Sequence, residues 1–271
     1  MPHSPPHMRS ELLQVLPLTP ILPDGQTVKI VGLGGVGGIV ARYGAIFLAT
    51  LAKQSSARLV LMDGDDFESS NATRMLFSTR GNKATVTRTD LLPYVLNSGL
   101  TLLAIEEFVT PENVSRLIQE GDIVLAALDN HSSRKVLNDH CSSRLKDVVL
   151  ISGGNDGVGM DSSNKSRRGT YGNCQIYVRR HGEDLSPSLV RYHPEIEQPA
   201  DRLPTDMSCT ELAQSVPQIL FTNLTTAACI LNALWLHLCG ALHYSELAFD
   251  VAEGLMRPIV PKPPVARSHT P

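Results

Sequence analysis

Apolar residues along this chain alternate between two rhythms. Runs dominated by apolar positions at residues 28–31, 59–62, 100–109, 122–128 and 148–151 have the length and composition of buried strands. Between them, residues 36–51, 85–97, 111–120 and 132–145 carry helical spacing, with Pro93 predicting a kink in the second of these helices. Strands alternating with helices predict an α/β, Rossmann-like domain with a mostly parallel central sheet and flanking helices.

The alternation stops after residue 152. Residues 153–168 are rich in Gly, Asn, Ser and Asp, a strand pattern follows at Tyr171–Arg180, and residues 181–205 are rich in proline and charge. This predicts a long crossover loop. Residues 211–242 then place Leu224, Ala227, Ile230, Leu231, Leu234 and Leu238 on one helical face, with Pro217 bending the start. Residues 244–251 predict one more strand, so the domain closes with an additional C-terminal helix and strand.

Composition narrows the partners. With 271 residues and 42% hydrophobic content the chain has material for a sizeable core. A net charge of -3, a pI near 6.3 and no dense Lys/Arg run leave no electrostatic case for nucleic acid or an anionic membrane. The stretch 226–242 is interrupted by Asn232 and His237 and is too mixed to span a bilayer. Cys141, Cys174, Cys209, Cys229 and Cys239 form no CxxC pair and no signal peptide precedes them, which predicts reduced thiols, a cytoplasmic location and no zinc.

The chemistry concentrates after the first two strands. Gly32, Gly34, Gly35 and Gly37 form a GxGGxG turn, whose backbone approaches a phosphate at a helix N-terminus. NAD and ATP both fit that turn, and so does Asp63 at the end of the second strand as a ribose acceptor. Asn71, Arg74 and Lys83 separate them, because converging cations suit a triphosphate and its leaving pyrophosphate, whereas hydride transfer has no use for them. Asp129-Asn130 follows the fourth strand, where a carboxylate either holds Mg²⁺ against phosphates or, with Ser132, caps the next helix.

Taken in order over residues 28–155, the glycine turn, Asp63, Asn71, Arg74, Lys83, Asp129-Asn130 and Arg134 resemble the adenylating domain shared by ThiF, MoeB and the ubiquitin-activating E1 enzymes. Gly153-Gly154, Ser208-Cys209 and Asn223 also resemble ThiF-family proteins of bacterial plasmid and mobile-element operons. The resemblance implies that ATP with Mg²⁺ adenylates the C-terminal glycine of a ubiquitin-like or sulfur-carrier protein. Asp63 is then the ribose ligand, Asn71, Arg74 and Lys83 the phosphate ligands, and Asp129 the metal ligand. It also implies a homodimer, an E2-like protein as a further partner, and a loop cysteine that takes the acyl group as a thioester. Cys209, before a helix whose N-terminus lowers a thiol pKa, is the candidate, and Cys174 is second. Cys141, Cys229 and Cys239 fall on helical patterns and read as core.

Three features depart from that pattern. Met75 stands where the family has glutamine, the gap to Lys83 is shorter, and Arg9 is the only candidate for an arginine supplied across a dimer. The alternatives are an NAD-dependent oxidoreductase, for which no Tyr-x-x-x-Lys dyad is present, and a non-catalytic E1-like binding subunit. The predicted organisation is an irregular segment at 1–27, a nucleotide-binding adenylation half at 28–155, strand and crossover loop at 156–210, a C-terminal helix and strand at 211–256, and a disordered tail at 257–271.

Overall fold

Each apolar run enters one sheet, and each amphipathic segment covers one of its faces. A computed structural model describes residues 18–53, 55–68, 71–72, 75–160, 166–206 and 218–261. In chain order the first half contains β1 (Gln26–Val31), α1 (Gly37–Leu51), β2 (Ala57–Met62), a ribbon of β3 (Asp66–Phe67) and β4 (Gly81–Asn82), α2 (Lys83–Val95), β5 (Leu100–Ile105), α3 (Val114–Leu117), β6 (Ile123–Ala126), α4 (His131–Ser143) and β7 (Val148–Asn155). The second half contains β8 (Val158–Met160), β9 (Ser166–Arg168), β10 (Tyr171–Arg180), β11 (Glu183–Asp184), α5 (Pro194–Glu197), α6 (Leu220–Leu238), β12 (Glu246–Asp250) and β13 (Leu255–Ile259).

The main sheet runs β13-β12-β10-β7-β6-β1-β2-β5, with β11 beside β10. From β5 to β7 all neighbours are parallel, while β10, β12 and β13 join by antiparallel pairing. Side chains alternate across it: Val28 and Ile30 pack with Leu48, Leu91, Ile230 and Leu234 of α1, α2 and α6. Val31 and Val124 face Leu117, Leu137 and Cys141 of α3 and α4. Burial on both faces is why these strands read as continuous apolar runs.

Four boundaries differ from the sequence reading. Helix α2 starts at Lys83 instead of residue 85, because the Asn82 side chain accepts from the N–H groups of Ala84 and Thr85 and caps it. Segment 111–120 is helical only over Val114–Leu117. The region 153–168, read as loop, contains the antiparallel pair β8 and β9. The tail read from residue 257 begins as strand: Gly254, at φ 59°, turns the chain so that β13 pairs with β12 through Ile259. Pro258 is tolerated there because β13 is an edge strand.

Candidate nucleotide site

The carboxyl ends of β1, β2, β6 and β7 meet at the glycine turn. Gly32 has φ 85°, and a Cβ there would lie 2.7 Å from the Ala127 carbonyl oxygen; a Cβ on Gly37 would lie 1.8 Å from the Gly32 oxygen. These two positions admit only glycine, because the turn folds onto itself and onto the end of β6. Gly35 is glycine for another reason: its Cβ position lies 2.4 Å from Asn223 Nδ2 on α6. Gly34 is open except for the Met75 methyl, 3.7 Å from its Cβ position.

Asp63 is joined to this turn. Its Oδ2 accepts from Leu33 N at 2.6 Å and its Oδ1 from Asp65 N at 2.9 Å, so the side chain fixes the exits of β1 and β2 together. Each oxygen keeps a further acceptor lone pair. Burial pushes the carboxyl above its usual range, against the pull of Lys83 and the two N–H donors. Asn71 Oδ1 accepts from Glu68 N at 3.0 Å and closes the turn that follows β3. Lys83, buried at the start of α2, pairs with Asp65, and its N–H donates to the Asp65 carbonyl at 2.9 Å. Asn82, absent from the sequence reading, donates to the Asp63 and Asp65 carbonyls at 3.0 and 3.2 Å.

On the other side of the turn, Asn130 caps α4: its Oδ1 accepts from Ser133 N at 2.7 Å. That answers the choice left open between Asp129 and Ser132, and it engages the oxygen of Asn130 that a ligand would otherwise use. Asp129 stays exposed, with Asn130 Nδ2 at 3.3 Å from its Oδ1. The α4 N-terminus also receives Asp201 from the crossover segment, which accepts from His131 N at 2.7 Å and Ser132 N at 2.8 Å. Arg134 is buried and donates to the carbonyls of Leu128 at 2.7 Å and Gly153 at 3.1 Å, tying β6 to β7.

The crossover segment is pinned to the sheet by His193, which lies 2.8 Å from both Glu195 and the buried Glu246. Burial alone would depress the imidazole, but the Glu246 and Glu195 carboxylates outweigh it and raise its pKa. Arg74 and Cys209 lie outside the described residues. Cys174 is fully buried and burial pushes its thiol well above the usual range, which removes the second-choice nucleophile. Cys141 and Cys229 are buried as expected, whereas Cys239 at the end of α6 is only partly so.

A cavity of about 310 Å³ lies between the glycine turn, α1, α2 and α6, lined by Gly34, Gly35, Arg42, Met75, Thr87 and Asp90 among others. The volume is at the lower end for a small-molecule site. A wider apolar groove of about 680 Å³ runs along α1 and α6, over Tyr43, Phe47, Leu231 and Trp235. Among the described residues no group of three or more His, Cys, Asp or Glu side chains forms a metal cage, and no helix is long and apolar enough to cross a membrane. Mg²⁺ binding through one or two carboxylates plus substrate phosphates needs no such cage, and Asp129 is an exposed carboxylate after β6.

The ThiF family profile matches residues 24–227. Protein HesA of Nostoc sp. is 30% identical over 125 residues, 45% of this chain and 47% of that protein. The SAMP-activating enzyme E1 of Haloferax volcanii is 30% identical over 139 residues, 48% of each chain. The chain thus spans about half the length of the curated relatives it matches. In fold it is similar to E. coli MccB with succinimide bound, at TM-score 0.62 and 16% identity, covering 89% of this chain and 66% of that one. It is similarly close to MccB with AMPCPP and MccA, at TM-score 0.60 and 18% identity over 89% and 65% of the two chains.

Proposed function

The chain belongs to the ThiF family, and we propose that it is an E1-like activating enzyme that uses ATP and Mg²⁺ to adenylate the C-terminal glycine of a ubiquitin-like or sulfur-carrier protein. The observation that carries this is the meeting, at one sheet edge, of the Asp63-braced glycine turn with Lys83 on the β2 side and the exposed Asp129 on the β6 side. The free N–H groups of the turn face the phosphates. Asp63 accepts from the ribose with its remaining lone pairs. Asn71, Arg74 and Lys83 take the β- and γ-phosphates, Lys83 exchanging Asp65 for a phosphate oxygen.

The substrate carboxylate, already deprotonated at neutral pH, attacks the α-phosphorus. A new carboxyl O–P bond forms, the bond to the bridging oxygen breaks, and pyrophosphate leaves with the electron pair. Asp129 would hold Mg²⁺, which would supply charge neutralisation on the phosphates. Cys209 then accepts the acyl group as a thioester and AMP departs, before transfer to an E2-like protein. The enzyme acts in the cytoplasm as a homodimer, for which the apolar groove along α1 and α6 offers a surface.

ATP:pyrophosphate exchange with candidate carrier proteins from the same operon tests the reading. Exchange is expected with wild type and is expected to fall about a hundredfold or more in Asp129→Ala. Failure of the wild-type chain to bind ATP would sink it. A dithiothreitol-sensitive adduct lost in Cys209→Ala tests the thioester step separately. A second reading, a non-catalytic E1-like subunit, draws support from Met75, whose methyl lies beside Gly34; it predicts carrier binding without exchange.

A further inference from the structure

The cavity between the glycine turn, α1, α2 and α6 offers chemistry that a nucleotide does not call for. Its walls are mostly apolar, built from Phe67, Met75, Leu91, Leu220 and Leu224. At its rim Leu76 is 80% exposed, Leu220 41% and Leu224 40%, so hydrocarbon stands open to water there. Arg42 and Asp90 also line it. Arg42 has no hydrogen-bond or ion-pair partner among the described residues. Asp90 Oδ2 accepts from Ser78 N at 3.1 Å, which leaves its Oδ1 as a free acceptor within the cavity.

The floor of the cavity is open where the fold does not require it to be. Gly34 and Gly38 both line it, neither has a left-handed φ, and a Cβ would meet nothing nearer than the Met75 methyl at 3.7 Å or the Leu33 oxygen at 3.8 Å. Gly32, Gly35 and Gly37 are glycine because neighbouring atoms crowd them; these two are not. Gly38 and Arg42 are four apart on α1, hence on one face, and helical side chains lean toward the N-terminus. The missing side chain at Gly38 therefore leaves the space between Arg42 and the turn clear.

Position and chemistry together select the occupant. Gly34 and Gly35 belong to the turn that meets the phosphates in the adenylation reading, so the cavity opens beside the reacting α-phosphate. The helices α1, α2 and α6 cover one face of the sheet, whereas Asp129 precedes α4, which covers the other. A departing pyrophosphate would set its charge against hydrocarbon walls and the Asp90 carboxylate. A peptide suits them better: a carbonyl oxygen accepts from Arg42, an N–H donates to Asp90, and an apolar side chain covers the walls.

We propose that this cavity is the specificity pocket for the acyl substrate, taking a large apolar side chain from the residue before the terminal glycine while Arg42 donates to a backbone carbonyl of the same tail. This rests on the adenylation reading above. One extended residue spans about 3.3–3.6 Å, so that side chain stands one step from the α-phosphate, where the cavity begins.

The probes are 5′-O-[N-(leucylglycyl)sulfamoyl]adenosine and its glycylglycyl counterpart, stable acyl-adenylate mimics, measured by calorimetry beside AMP on the full chain. Wild type is expected to bind the leucyl compound at least about tenfold more tightly than the glycyl one, as burial of one large apolar side chain requires. Gly38→Leu places a side chain in the cavity where the fold has room, and is expected to bring the two affinities within about twofold; Gly38→Ala, the smaller change, is expected to narrow the gap partway. Arg42→Met keeps an apolar stem and removes the donor. It is expected to weaken both acyl compounds about tenfold, preserve their ratio and leave AMP within about twofold. A general loss of nucleotide binding does not mimic a changed ratio. Equal affinities for the two compounds in wild type, or a ratio unchanged in both Gly38 variants, would overturn the proposal. So would a loss of AMP affinity in Arg42→Met equal to that of the acyl compounds. A wild type that binds neither AMP nor ATP refutes the adenylation reading itself.

Discussion

Replacing Gly35 with alanine adds one methyl group where Asn223 already sits. The new Cβ would lie 2.4 Å from Asn223 Nδ2 and 3.3 Å from its Cγ, against an optimum of about 3.5–4.0 Å for non-bonded contact. Roughly 1 Å of retreat is therefore needed. Asn223 has little room to give it: the residue is fully buried, and its oxygen is held by Asn155 at 2.7 Å. Overpacking of this kind costs about 1–3 kcal/mol, and weakening the amide pair adds about 1 kcal/mol. The expected destabilisation of Gly35→Ala is then about 2–4 kcal/mol, or a fall in Tm of roughly 5–10 °C for a chain of this size.

Gly34→Ala is the control. It adds the same methyl to the same turn, its nearest neighbour is the Met75 methyl at 3.7 Å, and neither glycine has a left-handed φ. Its stability is expected to change by less than about 0.5 kcal/mol. Urea unfolding followed by circular dichroism measures both variants, together with Gly35→Ala/Asn223→Ala, in which shortening the buried amide vacates the space. The double variant is expected to be less destabilised than the sum of its single changes, because each single change damages the same contact. Equal losses in Gly34→Ala and Gly35→Ala, or strict additivity in the double variant, would refute the steric argument.

Lys29 and Asp122 form a buried pair at 2.6 Å at the opposite edge of the sheet, with Lys29 Nζ also donating to the Leu117 carbonyl at 2.6 Å. Lys29→Ala strands the buried Asp122 and is expected to cost about 3–5 kcal/mol, more than Lys29→Met/Asp122→Asn, by denaturant midpoint. His193 has a raised folded pKa, so its grip on the crossover segment is fully present below its ordinary value near 6.5 and is lost as pH rises through the folded value. Proteolysis within residues 185–206 is expected to accelerate above that pH in wild type, and His193→Gln is expected to abolish the pH dependence; a flat wild-type profile would contradict the assignment. Among the described cysteines, iodoacetamide is expected to label Cys239 well before Cys174, Cys141 or Cys229 in native protein, read by peptide mass spectrometry.

The order of main-sheet strands and helices through β7 was legible because most of those strands are buried on both faces and the helices on one, which writes two different periods into the sequence, whereas the short β3–β4 ribbon has no such run. The glycine turn and Asp63 were legible because both serve local geometry next to a strand end. Lys83 was visible as a cation, but its pairing with Asp65 was not, because the contact depends on how β3 and β4 fold back. Asn130 as the α4 cap lay between the two candidates the sequence offered, Asp129 and Ser132, and needed the backbone path to be found. Glu246 was hidden for a different reason: it opens β12 next to Leu247, Ala248 and Phe249 and meets His193 only after the crossover segment has returned to the sheet. Asn223 was named in the sequence only through the family resemblance, and its contact with Gly35 was hidden because it joins segments far apart in the chain.

That contact also gives the fourth glycine of the turn a physical purpose. Gly32 and Gly37 are required by backbone crowding alone, and those two positions are shared by any nucleotide turn of this shape. Gly35 is required by a side chain brought from α6, so it binds the turn to the second half of the chain.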